Sequence, residues 1–328
     1  MKERVLITGA SGFVGYHLIN EAINNNLEVF AAVRKSSKTD HLDGFDIQYT
    51  YPDFTNLQAL KDNINENKYD YIIHAAGVTK ARSAAEYDNI NAGYTYNLAL
   101  AALESNISLK KFVLVSSLAA VGPLNTLSGI ITERTAPAPV TAYGRSKLLA
   151  EEKLKSLADL DYTILRPTGV YGPRDRDIFI FFKQLNNHIE PYIGNIEQNL
   201  SLIYVTDLAK AAIKALHAGN KKTYNLSDGN FYDRYALGNI TREVLNLKTI
   251  KFHLPVNFVK LIANISEKVS SLANKASVLN IEKLNELMAV NWNCDIALAE
   301  ADLGFSPQYD LRSGVTETLK WYKANKWL

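Results

Sequence analysis

The stretch Val5-Leu-Ile-Thr-Gly-Ala-Ser-Gly-Phe-Val-Gly15 places a glycine-rich turn between an apolar run and a helical pattern. The run Val5–Thr8 has the length and the residue types of a buried strand. Glycines at such a turn let the backbone approach a pyrophosphate, which then faces the N-terminus of the following helix. We therefore predict a dinucleotide-binding turn, with a tight turn that binds no ligand as the alternative. The cofactor contacts predicted in this turn are Gly9, Ser11, Gly12, Phe13, Val14 and Gly15.

Short apolar runs and helix-length amphipathic segments alternate after this turn. The predicted strands are Val5–Thr8, Val29–Val33, Ile47–Tyr51, Tyr71–His74, Phe112–Ser116 and Thr163–Leu165, and the helices between them include Leu18–Asn26, Leu57–Asn65 and Tyr94–Ser105. This alternation predicts an α/β fold, a Rossmann-type doubly wound parallel sheet covered on both faces. Ligands of such sheets bind beyond the carboxyl ends of the strands, so the residues that follow each strand are the candidates for chemistry.

The pattern becomes less regular after about residue 170. The Pro/Gly-rich segment Leu165–Pro173 is expected to continue neither as helix nor as strand, and to begin a second lobe. We predict that residues 1–170 and 201–227 form the nucleotide-binding domain, and that residues 171–200 and 228–328 form a smaller, mostly helical substrate lobe. The apolar stretch Val256–Val269 is expected to be buried in that lobe, with a helix that packs against a partner as the alternative. Further predicted elements are helices Ile178–Asn186, Asp207–His217 and Leu311–Ala324, and strands Leu202–Val205 and Thr223–Leu226.

Composition narrows the classes of function. The 328 residues are 47% hydrophobic and 21% charged, with a net charge of +2, which is ordinary for a globular protein. No basic stripe predicts a nucleic acid or membrane partner, and no apolar stretch of spanning length occurs. Without a secretory leader pattern, a cytoplasmic location is expected. A lone Cys294 cannot form an internal disulfide and is expected to be inert.

The residues after the second strand bear on the choice of cofactor. NAD sites usually place an acid there to bind the ribose 2′-hydroxyl, whereas a 2′-phosphate needs cations. This chain has Val33 in the acid's position, followed by Arg34 and, in the same loop, Lys38. A guanidinium suits a phosphate, so NADP(H) is favoured over NAD(H). A solvated basic loop is the alternative.

Two further strand ends carry candidate cofactor contacts. After the third strand, Asp53 could accept from the adenine amino group and Phe54 could flank the ring, although Asp53 could equally cap the next helix. The fourth strand ends in Ala75-Ala76-Gly77, small residues that let a cofactor pass close to the backbone. His74 is expected to be a packed strand residue. No set of residues with metal-ligand spacing is found.

Candidate catalytic residues follow the fifth strand and open the next helix. Within Thr141-Ala-Tyr-Gly-Arg-Ser-Lys147, Tyr143 and Lys147 are one helical turn apart. A free phenol ionises near pH ~10, and a nearby ammonium favours the phenolate. Lys147 is therefore expected to lower the pKa of Tyr143, which can then exchange a proton as a carbonyl is reduced or an alcohol oxidised. Ser116 and Ser117 could bond the reacting oxygen or simply cap the next turn.

Together these motifs resemble the extended short-chain dehydrogenase/reductase family, also called the NAD-dependent epimerase/dehydratase family. The resemblance continues through Arg166-Pro-x-x-Val-Tyr-Gly-Pro173, Tyr204-Val-x-Asp-Leu-Ala209 and Leu303-Gly-Phe-x-Pro307. It implies that Ser117 orients the substrate oxygen, with Ser116 as its competitor and as a possible cofactor contact. It implies that Tyr143 is the acid/base and that Lys147 holds the nicotinamide ribose. By the same resemblance Pro167 and Val170 contact the nicotinamide, Asn91 supports the active-site helix, and a homodimer is expected.

Two departures from the family pattern narrow the reaction. Where the 4,6-dehydratases carry an Asp-Glu pair this chain has Leu118 and Ala119, and where many sugar-nucleotide enzymes show Arg-Asp-Phe it has Leu200-Ser-Leu202. The expected function is that of an NADP(H)-dependent oxidoreductase acting on a carbonyl or secondary alcohol, as in the dihydroflavonol-reductase-like branch. The alternatives are an NAD-dependent nucleotide-sugar epimerase and a non-catalytic dinucleotide sensor. Substrate contacts are predicted at Thr79, Thr168 and Arg174.

Overall fold

The computed structural model of the protein describes residues 2–272 and 280–328. Its strands are β1 Arg4–Thr8, β2 Glu28–Ala32, β3 Gln48–Thr50, β4 Tyr71–His74, β5 Lys111–Val115, β6 Tyr162–Pro167, β7 Gly169–Tyr171, β8 Ile189–Ile193, β9 Asn199–Leu200, β10 Leu202–Tyr204, β11 Lys222–Leu226, β12 Tyr232–Asp233 and β13 Ile250–Leu254. Its α-helices are α1 Phe13–Asn24, α2 Leu57–Asn67, α3 Ala84–Tyr87, α4 Tyr94–Leu103, α5 Ala142–Lys155, α6 Phe179–Asn186, α7 Val205–Lys214, α8 Ala236–Leu245, α9 Val256–Leu272, α10 Ile281–Leu287, α11 Ala297–Leu303 and α12 Leu311–Ala324.

Seven parallel strands form the central sheet in the order β11-β6-β5-β4-β1-β2-β3. The chain runs outward from β1 to β3 and then crosses to β4 on the other side of β1, so the strand order reverses between β1 and β4. The predicted doubly wound parallel sheet is confirmed. In such sheets the ligand crevice opens at this reversal, beyond the carboxyl ends of the two strands.

Both faces of the sheet are covered, which explains why its strands appear in the sequence as continuous apolar runs. Successive side chains of a strand point to opposite faces. In β1, Val5 and Ile7 therefore join the core on the face covered by α1 and α7, and Leu6 joins the core on the face of α2, α4 and α5. All three side chains are fully buried. The two cores fix β1 at the centre of the sheet and thereby place the glycine turn that follows it.

A third core gathers aromatic residues beyond the carboxyl edge of the sheet. It contains Tyr171, Tyr204, Phe182 and Tyr322, and α12 supplies much of its apolar surface. The expectation that the segment after β6 forms no strand is wrong. Residues Gly169–Tyr171 form β7, which pairs in parallel with β10. This pairing satisfies the backbone of a glycine-containing segment whose local sequence alone would favour a loop.

Helix α9 also differs from its prediction. The predicted burial of Val256–Val269 is wrong for its described side chains, because Val259 and Ala263 are buried whereas Phe258, Leu261, Ile262 and Ile265 are exposed. The helix packs against α10. Apolar periodicity shows that such a helix is amphipathic, but it does not show how much of the apolar face the rest of the chain covers.

The proposed division into two domains remains a prediction. Strand β11 pairs with β6 in the central sheet, and α7 packs on α1, in agreement with placing 201–227 beside the first 170 residues. Helix α11, from the second predicted part, nevertheless packs against β11, and Ala299 and Leu303 belong to a core of the sheet. Cys294 lies in the same core, where burial raises the pKa of its thiol to about 12.

Candidate active site

The glycine turn after β1 is closely packed against the end of β4. Gly9 has a φ of +69°, and a Cβ on it would lie 2.8 Å from the carbonyl oxygen of Ala75. A Cβ on Gly15 would lie 2.2 Å from the carbonyl oxygen of Gly9. A side chain at Gly9 would therefore push the turn away from the end of β4, and one at Gly15 would push α1 away from the turn.

Helix α1 begins at this turn with the features of an anion site. Its N-cap is Gly12, whose position offers no side-chain hydrogen bond to the first turn, and the first turn contains no acidic residue. The first amide groups of a helix have no partner within the helix, and its dipole favours negative charge there. These features fit the pyrophosphate of a dinucleotide. The neighbouring Phe13 ring packs on His17 and the Val14 side chain packs on the core.

The loop after β2 offers cations near the same turn. Ala32 lies beside Thr8 in the sheet register, so the residues that follow these two emerge at neighbouring points. Val33 is buried, whereas Arg34 and Lys38 are exposed and form no ion pair within the described residues. This arrangement fits a phosphate at the position where NAD-specific chains place an acid.

Asp53, after β3, does not cap the next helix, which was the alternative to an adenine contact. The carboxylate of Asp53 accepts from the backbone N–H and the hydroxyl of Thr55, at 2.9 and 2.6 Å. Helix α2 is capped instead by Asn56, whose side chain accepts from Ala59 at 3.1 Å. Phe54 stacks on Tyr94 with ring centroids 5.6 Å apart. Asp53 and Phe54 remain proposed adenine contacts.

The loop Ala75–Gly77 after β4 is held by two buried side chains. The hydroxyl of Thr8 accepts from Ala76 N–H at 3.0 Å and also bonds His74 at 2.8 Å. The side chain of Asn91 accepts from Val78 N–H at 2.8 Å and donates to Ser146 Oγ, on helix α5, at 2.9 Å. Asn91 thereby ties this loop to the helix of the candidate acid/base, in keeping with its proposed supporting role.

The two serines after β5 have different partners. Ser116 is buried and donates to Glu151 Oε1 at 2.6 Å. Its hydroxyl proton is thus directed to helix α5, and the cofactor contact at Ser116 remains a prediction. Ser117 accepts from Ala119 N–H at 3.2 Å, and its hydroxyl lies near the Tyr143 side chain, where it acts to lower the pKa of that phenol. Geometry therefore favours Ser117 as the residue that meets a substrate oxygen.

Helix α5 brings Tyr143 to Ser117 by close packing on the loop after β5. Thr141 caps the helix by accepting from Gly144 N–H at 3.0 Å. A Cβ on Gly144 would lie 2.4 Å from the carbonyl oxygen of Ala119. The absence of a side chain at Gly144 thus allows the helix to approach the loop that carries Ser117.

The pKa of Tyr143 shifts in the opposite direction from the one expected. Burial raises it to about 12, and the nearby Ser117 hydroxyl opposes this only in part. The Nζ of Lys147 donates instead to the carbonyl oxygen of Val115 at 2.8 Å. The expected lowering of the Tyr143 pKa by Lys147 is therefore wrong for the protein without a dinucleotide. The i, i+4 spacing puts Tyr143 and Lys147 on one face of the helix, but it does not determine where the ammonium group of the lysine side chain lies.

Lys147 lies in a buried charged network behind the crevice. Burial lowers the pKa of its ammonium to about 8, and the Glu151 carboxylate one turn later opposes that shift. Glu151 is itself held by Arg166, whose Nε and Nη2 donate to it at 3.0 and 2.6 Å. Both side chains of this pair are almost completely buried. The network joins α5 to the ends of β5 and β6.

The predicted substrate contacts do not come together. The Thr79 carbonyl accepts from the Tyr87 hydroxyl at 3.0 Å, and the Tyr87 ring is 6.3 Å from that of Tyr143. Thr168 bonds the backbone of Leu226 beneath the crevice. The guanidinium of Arg174 instead lies 3.9 Å from the ring of Tyr16 on α1, near the glycine turn rather than Tyr143. Arg174 is therefore not placed as a substrate contact beside the reacting group.

Helix α10 is a part of the site that the sequence did not reveal. Glu282 accepts from Ala142 N–H at the start of α5 and forms an ion pair with Arg145. The negative charge of Glu286 contributes to the raised pKa of Tyr143. These acids lie about 140 residues from Tyr143 along the chain, and no local motif connects them to it. Pro167 ends β6 and Val170 lies in β7, so both border the crevice from the adjoining strands.

Comparison with known sequences shows which family this chain belongs to. The family described as the NAD dependent epimerase/dehydratase family matches residues 5–227. The chain belongs to this family. It is accordingly an NAD-dependent enzyme of the oxidoreductase and epimerase type. Within the described residues no helix is long and apolar enough to span a membrane, and no group of His, Cys, Asp and Glu could hold a metal ion.

Members of the family with different substrates are similar to this chain over nearly its whole length. The ceramide reductase of Caulobacter vibrioides is 27% identical, with 99% of this chain and 96% of the relative covered. The sterol-4-alpha-carboxylate 3-dehydrogenase of Candida albicans is 26% identical, with 97% of each covered. The solved UDP-glucose 4-epimerase of Thermotoga maritima, in complex with UDP-glucose, has a TM-score of 0.82 at 20% identity and covers 98% of this chain and 99% of its own. The last similarity shows the fold alone.

Proposed function

We propose that this protein is an NADP(H)-dependent oxidoreductase that interconverts a carbonyl and a secondary alcohol on a largely apolar substrate. The observation that carries the proposal is that Ser117 lies close to Tyr143, near enough for its hydroxyl to act on the pKa of the phenol, beside the buried Leu118 and Ala119. The pair can bind one oxygen and exchange one proton with it. The dehydratase reaction needs acids at the positions of Leu118 and Ala119, and these two side chains cannot supply them.

In this proposal Tyr143 is the proton donor for reduction. Its raised pKa keeps the phenol protonated at neutral pH, so a proton is ready when the carbonyl oxygen gains charge. Ser117 donates to the same oxygen and orients it. A bound dinucleotide would supply the hydride. Lys147, held below the crevice by the Val115 carbonyl, would contribute its positive charge and hold the cofactor's ribose.

The preference for NADP(H) is supported by the loop after β2. Arg34 and Lys38 are exposed and lack an ion-pair partner among the described residues. Arg174 adds a third cation near the glycine turn, because its charge lowers the pKa of His41, which bonds the backbone of Ser11. A guanidinium offers a phosphate paired donors, whereas a ribose hydroxyl gains little from three cations.

The acidic residues near Tyr143 and the substrates named for two similar proteins favour an apolar substrate. Glu282 and Glu286 lie at the Tyr143 end of the crevice, where they would repel a diphosphate. Leu200 stands in the position of the arginine found in many sugar-nucleotide enzymes, and the neighbouring Ser201 is buried and donates to the carbonyl of Asn230. Two similar proteins are named for ceramide and sterol substrates.

The proposal is tested by turnover with purified protein. NADPH and NADH oxidation would be followed with a long-chain keto lipid, a keto-sterol, a short soluble ketone and UDP-glucose. We expect NADPH-dependent reduction of a ketone, loss of that turnover in Tyr143→Phe with cofactor binding kept, and no loss in the exposed control Tyr51→Phe. Tighter binding of NADH than NADPH would contradict the cofactor assignment.

A nucleotide-sugar epimerase is the second candidate, favoured by the whole-chain similarity to a UDP-glucose 4-epimerase fold. An epimerase oxidises and re-reduces one carbon, so it consumes no external cofactor. Conversion of UDP-glucose to its epimer with cofactor that copurifies with the protein, and with no reduction of the ketones, would replace the first proposal by this one.

A further inference from the structure

Helix α9 presents an apolar face to solvent. Phe258, Leu261, Ile262 and Ile265, which we call the α9 face, are 52, 56, 41 and 53% exposed. Their spacing of three, four and seven residues places them on one side of the helix. The buried contacts of α9 are made from another side, by Val259 and Ala263. Single exposed apolar residues are ordinary, but four on one helix face mark an interaction surface.

The strand pair that leads into α9 extends this apolar character. β13 pairs with β8, and Ile250, 73% exposed, lies opposite Ile189, 45% exposed, in the register. Phe252, two residues further on, points to the same side of the strand and is 38% exposed. Pro255 then separates β13 from the start of α9. Ile250 and Phe252 thus add exposed apolar side chains directly before the α9 face along the chain.

This region adjoins the mouth of the proposed active site. Helix α9 packs on α10. On α10, Glu282 binds the start of α5 next to Tyr143, and Leu287 is 49% exposed. A substrate that approaches along the α9 face therefore comes close to α10, the helix that contacts the start of α5.

The positive charge on α9 and the small size of the α9 face favour a lipid surface, and not a second copy of the chain, as its binding partner. The polar side of α9 includes Asn257, Asn264 and Lys260, and Lys260 is exposed with no ion-pair partner in the described part of the chain. Lys248, before β13, is also exposed. A helix with large apolar side chains on one face and lysine on its polar side is typical of helices that lie in the bilayer interface. Four side chains are few for a stable dimer, which uses roughly 20–30 residues on each side.

We propose that the α9 face docks on the surface of a lipid bilayer and lets an apolar substrate pass from the bilayer into the crevice. The proposal of a substrate route rests on the proposed function, whereas the docking itself does not. Docking of this kind inserts side chains to the depth of the headgroups and needs no spanning helix. Lys260 and Lys248 add attraction to anionic headgroups, which falls as salt is raised.

The test is flotation with vesicles of phosphatidylcholine and phosphatidylglycerol, using the full-length wild-type protein and the variant Leu261→Asp/Ile265→Asp. Burying each of these side chains in the interface is worth about a factor of ten in partitioning. We expect the wild type to float with the vesicles and the double variant to bind at least about tenfold more weakly. Ile180→Asp on α6, where Ile180 is 52% exposed, is the matched control and should float like the wild type.

Further measurements separate the possible outcomes. Unchanged far-ultraviolet circular dichroism and unchanged turnover of a short soluble ketone in Leu261→Asp/Ile265→Asp, together with its weaker flotation, support the proposal. A wild type that does not float overturns it, as does a dimer in light scattering that this variant dissociates without any effect of vesicles. Flotation without turnover of any ketone would support docking and would contradict the proposed function instead.

Discussion

At the scale of single residues, the phenol of Tyr143 and the ammonium of Lys147 show how the site distributes charge. Burial works against the charged form of each group: it raises the pKa of Tyr143 to about 12 and lowers that of Lys147 to about 8. The Ser117 hydroxyl lies near the phenol and Glu151 faces the ammonium. The protein without a dinucleotide therefore holds Tyr143 as an acid and not as a base.

The titration of Tyr143 should follow from this burial. In the near-ultraviolet phenolate band, the wild type minus Tyr143→Phe should show no ionisation until the pH passes about 11. Because the pKa is higher in the folded than in the unfolded state, the neutral phenol contributes stability below pH ~10, and that contribution is lost as the pH rises toward 12. A midpoint below 9 in the cofactor-free protein would contradict the burial argument. Tyr51→Phe, at an exposed position, is the control variant.

Removing the charge of Glu151 should destabilise the protein strongly. In Glu151→Gln the guanidinium of Arg166 stays buried without a counter-charge, and breaking such a buried pair costs about 3–5 kcal/mol. The free energy of unfolding in urea measures this loss. Glu152→Gln is the control, since Glu152 is exposed on the same helix and should change stability by less than about 0.5 kcal/mol. A loss below about 1 kcal/mol in Glu151→Gln would show that the pair contributes little.

At the scale of elements, the approach of α5 to the loop after β5 sets the distance between Tyr143 and Ser117. Glycine inside a helix normally costs about 1 kcal/mol relative to alanine. At Gly144 the close packing nevertheless leaves no space for a side chain, because a Cβ would lie 2.4 Å from the Ala119 carbonyl oxygen. The position of the helix, and with it the catalytic geometry, depends on this missing side chain.

Gly144→Ala should therefore lower both stability and turnover, although alanine favours a helix. We expect a loss of more than about 1 kcal/mol in the free energy of unfolding, typical of overpacking, and a fall in kcat larger than the change in cofactor affinity. Gly44→Ala is the control, because a Cβ there meets no atom within 4 Å. Increased stability with full turnover in Gly144→Ala would mean that the loop yields freely.

The sequence alone was sufficient to predict strands that are completely buried. It failed to predict elements whose structure depends on pairing with a distant segment of the chain. The strands around Val5–Thr8 and Tyr71–His74 are apolar throughout because both faces are covered. β7 and β13 depend on pairing with β10 and β8, which local sequence does not show. The same applies to the site. The sequence indicated Ser117 and Tyr143, whereas the direction of Lys147 and the role of Glu282 depend on tertiary packing.

At the scale of the whole molecule, the two parts of the chain are interleaved around the crevice. The chain leaves the central sheet after β6, returns to it at β11, and packs α11 against that strand. The Tyr322 hydroxyl of the last helix donates to the Asp175 carbonyl in the loop after β7. A ligand that binds in the crevice therefore contacts segments from much of the sequence and should stabilise them together.

Cofactor binding should raise global stability by an amount set by affinity. NADPH at about 100 times its Kd should add about 2.7 kcal/mol to the free energy of unfolding. NADH at the same concentration should add less, because it cannot use Arg34 and Lys38. Thermal unfolding followed by circular dichroism measures both effects. Arg34→Gln should bring the two cofactors close together, and equal shifts already in the wild type would argue against a 2′-phosphate site.

The place of β11 beside β6 also has a consequence for synthesis. Until Leu226 has left the ribosome, β6 is an open edge of the nascent sheet, with backbone groups that another strand could pair. The 59 residues from Thr168 through Leu226 take about 3–12 s to translate at 5–20 residues per second. During that interval the growing chain exposes β6 as an unpaired edge strand. A chaperone that covers β6 should therefore increase the yield of native protein.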